Sequence, residues 1–336
     1  MLAVEPREVL FPSDTQLRYY SLARYALIDA LHLAGIGHGS RVLLPGYLCR
    51  DLLAPLHLLG ALACWYEVAP DLSPAQSPEL WPQADAVLAI NYFGFAQDLR
   101  PFQSYAQRTG AVLIEDNAHG YLSRDQDGCW LGCRATLGLF SLRKTLRIPD
   151  GAVLWFSALP STRTIPQQLP FSGHGLNPAQ LSKARLRRLP LIGETLYRSS
   201  IALARWLRKQ RTGSATPTTD PNSEYLVPGS PQPWSGLRAA LAACVASREI
   251  ERRRTAYLRC AEIGVRVGAR PIFSHLPDYC APYAFAFRAD QTALDAMRRY
   301  AAEQGFDLVS WPDLPEEIVS QAPTHYCNVF LINFLW

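Results

Sequence analysis

The sequence predicts an α/β protein, a mainly parallel sheet covered on both faces, followed by a smaller α+β unit. Short apolar runs alternate with amphipathic stretches between residues 16 and 156, several of those stretches stop at glycine, and from about residue 235 the pattern becomes one long helical segment followed by strand, helix and strand. A chain of 336 residues suits one large and one small domain, here 1–234 and 235–336, with 180–233 as a basic and then proline-rich connection.

Residues 16–36, QLRYYSLARYALIDALHLAGI, place Leu22, Tyr25, Ala26, Ala30 and Leu33 near helical spacing and stop at Gly35 and Gly37, which predicts one amphipathic helix. A strand at 41–44 ends at Pro45-Gly46. A helix over about 49–59 and a strand over 61–67 follow. The run DAVLAINY at 85–92 reads as a strand, 97–109 as a helix closed by Gly110, and 111–116 as the next strand. Asp127-Gly128 suits a tight hairpin turn, and strands at 136–142 and 151–156 complete the block. Beyond the connection, a long helix from about Ser235 to Gly264 carries Arg252, Arg253 and Arg254 on its expected exposed side. Tyr283, Phe285 and Phe287 alternate as in a half-buried strand, 291–304 reads as a helix stopped by Gly305, and strands are expected at 306–311 and 329–336.

Composition narrows the function classes. The balance of 33 basic and 29 acidic residues is too even to indicate a nucleic-acid protein by itself. The eight cysteines include no Cys-x-x-Cys pair, so they read as reduced thiols in a cytoplasmic protein, and no acid or cysteine stands at metal spacing from His275 or His325. The first 14 residues hold three acids and two prolines where a signal peptide needs an uninterrupted apolar core. The longest apolar stretch, Leu52 to Tyr66, contains Pro55 and His57 and is too short to span a bilayer, so a soluble protein is expected. Residues 180–211 carry nine Lys or Arg against Glu194 alone, which fits a solvated helical face, a site for a phosphorylated or nucleotide-linked substrate, or an anionic membrane surface. Trp234, Trp311 and Trp336 read as packing residues.

Chemistry gathers at 111–152. One apolar run delivers Glu115 and Asp116 at its end, and 28 residues after Asp116 comes Lys144, just past the run Leu137 to Phe140. If both runs are buried parallel strands, their carboxyl ends border the crevice where open α/β sheets bind ligands. An acid and an amine meeting there suit pyridoxal phosphate: the acid keeps the pyridine ring protonated and electron-drawing, and the amine bonds the aldehyde. The same two residues, taken singly, also fit a hydrogen-bonded structural acid and a solvated lysine.

The order of the pieces adds to this. Four stretches, LARYALIDALHLAGIGHGSRVLLPGY at 22–47, AVLAINYFGFAQDLRPFQSYAQRTG at 86–110, IEDNAHG at 114–120 and LGLFSLRKTLRIPDGAVL at 137–154, together resemble the DegT/DnrJ/StrS family of fold-type I pyridoxal phosphate enzymes, with WPDLP at 311–315 as a weaker echo. The resemblance implies that Lys144 bonds the cofactor and shuttles protons, that Asp116 meets the pyridine nitrogen, and that His119 lies beside the ring oxygen. It places Ser141, Ala23 and Arg24 at the phosphate, Cys49 where many members stack an aromatic ring, and Asn91 with Tyr92 facing the substrate. Ser141 stands three residues before the lysine where many members have five, the paired glycines after the lysine are Gly151-Ala152, and QPWSGLRAA lacks the asparagine that members lend to a neighbouring subunit. A cytoplasmic homodimer acting on small molecules is implied, with aminotransfer from glutamate to a nucleotide-linked keto sugar or a related biosynthetic intermediate. Other pyridoxal phosphate chemistry, such as carbon–carbon bond formation, elimination or decarboxylation, and a non-catalytic binding descendant are the alternatives.

Overall fold

The computed structural model describes Phe11, residues 16–157, 163–175, some positions between 192 and 211, and 220–334. Most of the basic stretch 180–211 and Trp336 lie outside the described residues.

A seven-stranded sheet organises the first half. Its strands are β1 (Leu17–Tyr20), β2 (Arg41–Pro45), β3 (Leu62–Tyr66), β4 (Ala86–Ile90), β5 (Val112–Asn117), β6 (Leu137–Ser141) and β7 (Ala152–Phe156), in the order β1-β7-β6-β5-β4-β2-β3. Strands β6, β5, β4, β2 and β3 run parallel; β7 pairs antiparallel with β6, and β1 pairs antiparallel with β7 at the far edge. Central strands are apolar on both faces: β4 reads AVLAI and is buried throughout, because helices cover the sheet from either side. Helices α1 (Ala23–Ala34), α2 (Ala54–Leu59) and α3 (Arg100–Thr109) each end on a left-handed glycine, Gly35, Gly60 and Gly110, whose N–H satisfies a carbonyl of the last turn. Register sets Ile90 beside Asp116 and Asp116 beside Leu139, so the carboxyl ends of β4, β5 and β6 are level.

The second sheet, ordered β10-β11-β9-β8, is antiparallel and contains β8 (Arg270–Pro271), β9 (Ala284–Arg288), β10 (Asp307–Ser310) and β11 (Phe330–Asn333). Helices α4 (Leu237–Ala242), α5 (Ala246–Val267) and α6 (Gln291–Gln304) accompany it. Leu237, fully buried, packs with Leu17, Phe140 and Trp155 of the large sheet. No described helix is long and apolar enough to cross a membrane.

Four sequence expectations give way to the structure. Residues 16–36 are not one helix: Leu17–Tyr20 pair with Ala152–Trp155 as the edge strand, and the tyrosines, good strand formers, follow that pairing instead of the helical spacing downstream. The long helix is two, parted at Ala243–Val245. Strand β9 is buried from Ala284 through Phe287, not half-buried: Phe285 packs on Tyr257 of α5, and the strand's residues join the main core cluster. Arg253 is not exposed at all: it shares the inward stripe of α5 with Ala246, Tyr257, Cys260 and Gly264, while Arg252 and Arg254 are partly buried.

The two sheets meet through specific bonds. Arg50 pairs with the Asp313 carboxylate at 2.8 Å and donates its backbone N–H to the Asp313 carbonyl. The N–H of Val68, just past β3, donates to the Tyr326 hydroxyl at 2.8 Å, and its carbonyl lies 2.8 Å from His325 Nε2. Tyr283 donates its N–H to the Phe93 carbonyl at 2.8 Å.

Candidate active site

A cleft of about 700 Å³, counting the part open to solvent, lies beyond the carboxyl ends of β4, β5 and β6. Asp116, at the end of β5, forms part of its wall and is 7% exposed. Its Oδ1 accepts the Ala118 N–H at 2.8 Å, and burial raises its carboxyl, with that N–H and Lys144 pulling it back. Lys144 closes a short 3₁₀ turn, Leu142–Lys144, that follows β6 directly, so strand and turn together aim the amine back across the crevice. Its Nζ stands 3.1 Å from His119 Nε2.

His119 is held from both sides. Its ring stacks on Phe93, centroids 5.5 Å apart, and on Tyr283 from the second domain, 4.8 Å apart and within 6° of parallel. Burial, reinforced by Lys144, pushes the imidazole well below its ordinary value. The Phe93 N–H lies 3.5 Å from Nδ1, and Nε2 faces the Lys144 amine. Phe93 adopts a left-handed conformation, φ 55°, to present that N–H, and Gly94 follows because a Cβ there would lie 2.7 Å from the Ala281 carbonyl.

The opposite wall is cationic. Helix α1 starts at Ala23 with no side chain capping its first turn, so its N–H groups and dipole favour an anion. Arg24, Arg143 and Ser141 line the same space. Burial lowers the Arg24 guanidinium, Asp51 opposes this from 3.9 Å and Arg143 adds to it. Among the described residues Arg143 Nε is buried with no hydrogen-bond partner. An orphaned guanidinium N–H beside an uncapped helix, opposite a buried carboxylate and a neutral histidine touching a lysine, suits a ligand with a phosphate at one end, a basic ring nitrogen at the other and an aldehyde between them. These residues fit pyridoxal phosphate.

The structure thus brings Ala23, Arg24, Cys49, Asp116, His119, Ser141 and Lys144 around one cleft. Cys49 is a thiol pushed up to about 12 by burial, and Tyr47, two residues earlier, turns away to donate its hydroxyl to the Trp311 carbonyl at 3.0 Å. Asn91 and Tyr92 do not line the cleft. Asn91 donates to Glu115 at 2.8 Å and accepts from Arg134 at 3.0 Å behind the sheet, within a buried network anchored by the 2.6 Å Arg134–Glu115 ion pair, and Tyr92 donates to the Tyr47 carbonyl at 2.6 Å. The level strand ends explain this: successive residues point to opposite faces, so Asp116 enters the cleft and Glu115 leaves it. Among the lining residues that the sequence reading does not assign to the site are Arg143 and Trp311. Arg143 is legible only as the cation beside Lys144, and Trp311, a packing residue by sequence, does pack edge-on against Tyr47 and Phe93 while also forming a wall of the cleft. Among the described residues no group of three or more His, Cys, Asp or Glu is placed to hold a metal ion.

Comparison with known proteins points the same way. Residues 23–152 match the sequence model of the DegT/DnrJ/EryC1/StrS aminotransferase family. Over 133 residues, 38% of this chain and 25% of the relative, the sequence is 32% identical to Protein MosB of Rhizobium meliloti. Over 132 residues, 38% of this chain and 30% of the relative, it is 28% identical to the L-glutamine:2-deoxy-scyllo-inosose aminotransferase of Streptomyces kanamyceticus. The matches thus span less than a third of those curated relatives. Among solved structures, the aminotransferase TlmJ from Streptoalloteichus hindustanus superimposes with a TM-score of 0.57 at 20% identity, covering 95% of this chain and 80% of that one, which shows a shared fold. The matched stretch holds the lysine, the acid and the uncapped helix of the cleft, so this part of the chain is similar in sequence to the DegT/DnrJ/EryC1/StrS aminotransferase family, and the fold agrees with TlmJ over nearly the whole length.

Proposed function

We propose that this protein is a pyridoxal phosphate-dependent aminotransferase that takes an amino group from glutamate and delivers it to the keto group of a nucleotide-linked sugar or a related biosynthetic intermediate. The observation that carries the proposal is the Lys144–His119 contact, set between the Asp116 carboxylate and the Arg24–Arg143 mouth. When bound, the cofactor supplies an electron-withdrawing ring that stabilises negative charge at the substrate carbon. The chain supplies the rest. Asp116, costly to ionise in this buried place, is relieved by a protonated ring nitrogen. Arg24, Arg143, Ser141 and the first turn of α1 would hold the phosphate. Lys144 would hold the aldehyde end of the cofactor, and its Nζ would move a proton to and from the substrate carbon, with His119 Nε2 beside it at 3.1 Å. Trp311, with the buried Leu48 and Ile90, narrows the cleft and limits water. The active protein is proposed to be a homodimer.

The test is direct. Purified protein incubated with pyridoxal phosphate should gain a visible absorption band that borohydride abolishes, with the reduced adduct found by mass spectrometry on the peptide containing Lys144, and Lys144→Ala should show neither. Glutamate should then bleach the band and release one 2-oxoglutarate per site. A protein that binds no cofactor sinks the enzyme reading, whereas a band that no amino donor bleaches favours non-transaminase chemistry on the same fold, the reading to which Cys49 in an aromatic position lends weight.

A further inference from the structure

Arg253 is a fully buried guanidinium in the second domain whose bonds converge on the Lys144 turn. Its Nε donates to Glu249 Oε1 at 2.7 Å, one helical turn away. Its Nη2 donates to the Thr145 carbonyl at 2.8 Å, and its Nη1 reaches the Pro282 carbonyl at 3.2 Å and the Tyr283 carbonyl at 3.4 Å. Thr145 follows Lys144 in sequence, and its N–H closes the turn on the Leu142 carbonyl. Tyr283 is the ring that stacks on His119, and His119 touches Lys144. The links therefore make a closed circuit: guanidinium to Thr145, Thr145 to Lys144, Lys144 to His119, His119 to Tyr283, and Tyr283 back to the same guanidinium.

Burying an arginine without full pairing is costly, and a well-packed apolar side chain commonly serves stability as well or better. Here the planar fork does what an apolar residue cannot. It binds carbonyls from two segments, one on each side of the Lys144–His119 pair, and so fixes their separation. We propose that Arg253 is the positioning residue for Lys144, holding the amine and its histidine in contact from a helix that lines no part of the cleft. This rests on the reading of Lys144 as the cofactor-bonding amine.

The test uses the full chain with and without pyridoxal phosphate. In cofactor-free protein, trace labelling with acetic anhydride across a pH range, read by mass spectrometry at Lys144 against Lys183 and Lys209, reports how that amine is held. Arg253→Lys retains a cation but not the fork. The expected result is a shifted labelling profile at Lys144, unchanged profiles at the two reference lysines, and cofactor affinity reduced on the order of tenfold. Tyr283→Leu, which cuts the circuit at its other end, should shift Lys144 in the same way. Parent-like Lys144 profiles in both variants, with only the melting temperature lowered, overturn the proposal; should Arg253→Lys not fold, a parent-like profile in Tyr283→Leu overturns it equally. If the parent protein takes up no pyridoxal phosphate, the cofactor reading fails, and the labelling comparison still decides the role of Arg253.

Discussion

His119 ties the chemistry of the cleft to the stability of the chain. Its imidazole is depressed in the folded protein, so the unfolded chain binds the extra proton first, and stability contributed by the neutral ring is present above the unfolded value of ~6.5 and lost as pH falls below it. Lowering pH from 7 to 5 should therefore destabilise the cofactor-free protein, by up to about 1.4 kcal/mol per pH unit from this group, and His119→Gln should flatten the slope in thermal unfolding followed across that range. An unchanged slope in the variant would place the acid sensitivity elsewhere. At this scale the sequence is informative where position at a strand end brings a residue to the cleft, as for Asp116 and Lys144, and the family resemblance adds Ser141 and Ala23, which line it too. It is uninformative where orientation decides. Asn91 and Tyr92 follow β4 as expected and yet point into buried networks, and Arg253, in a run of three arginines, gives its burial away only by standing four residues before Tyr257 and seven before Cys260 on the inward stripe of α5.

Among the elements, β6 is the least forgiving. A Cβ at Gly138 would lie 1.6 Å from the Gly132 carbonyl, so the loop that precedes β6 runs directly over the strand, and only glycine admits it. Gly138→Ala should cost about 3 kcal/mol or more in denaturant unfolding, because backbone must move. Gly110→Ala, also on a glycine but facing open space, should cost only about 1–2 kcal/mol, the penalty of its left-handed conformation. Equal losses would contradict this account. The parallel strands and the glycine-stopped helices are legible because apolar runs and helix termination are local signals. The edge strand Leu17–Tyr20 is not, since its partner lies at Ala152–Trp155 and nothing nearby in sequence marks the pairing.

The whole molecule is held across its two sheets by a few polar clamps set among aromatic contacts. The Val68 N–H, buried, has the Tyr326 hydroxyl as its acceptor, so Tyr326→Phe should strand a buried donor and cost about 1–3 kcal/mol, with faster hydrogen exchange at the Val68 amide than at the amides of β4. Exchange at Val68 that stays as slow as in the parent would show that the clamp is not needed for docking. The change of pattern near residue 235 precedes every strand of the second sheet; which side chains join the two sheets is not legible, because contacts between residues hundreds of positions apart leave no periodicity behind. The circuit through Arg253 also has a consequence in time. Synthesis delivers Asp116 and Lys144 early, but the guanidinium that grips Thr145, the ring that stacks on His119 and the indole that walls the cleft arrive only with residues 253, 283 and 311. A nascent chain with its large sheet already assembled would still hold its amine in an unfinished setting, so if Arg253 positions Lys144 as proposed, the site is complete only once the carboxyl-terminal third has been made and has docked.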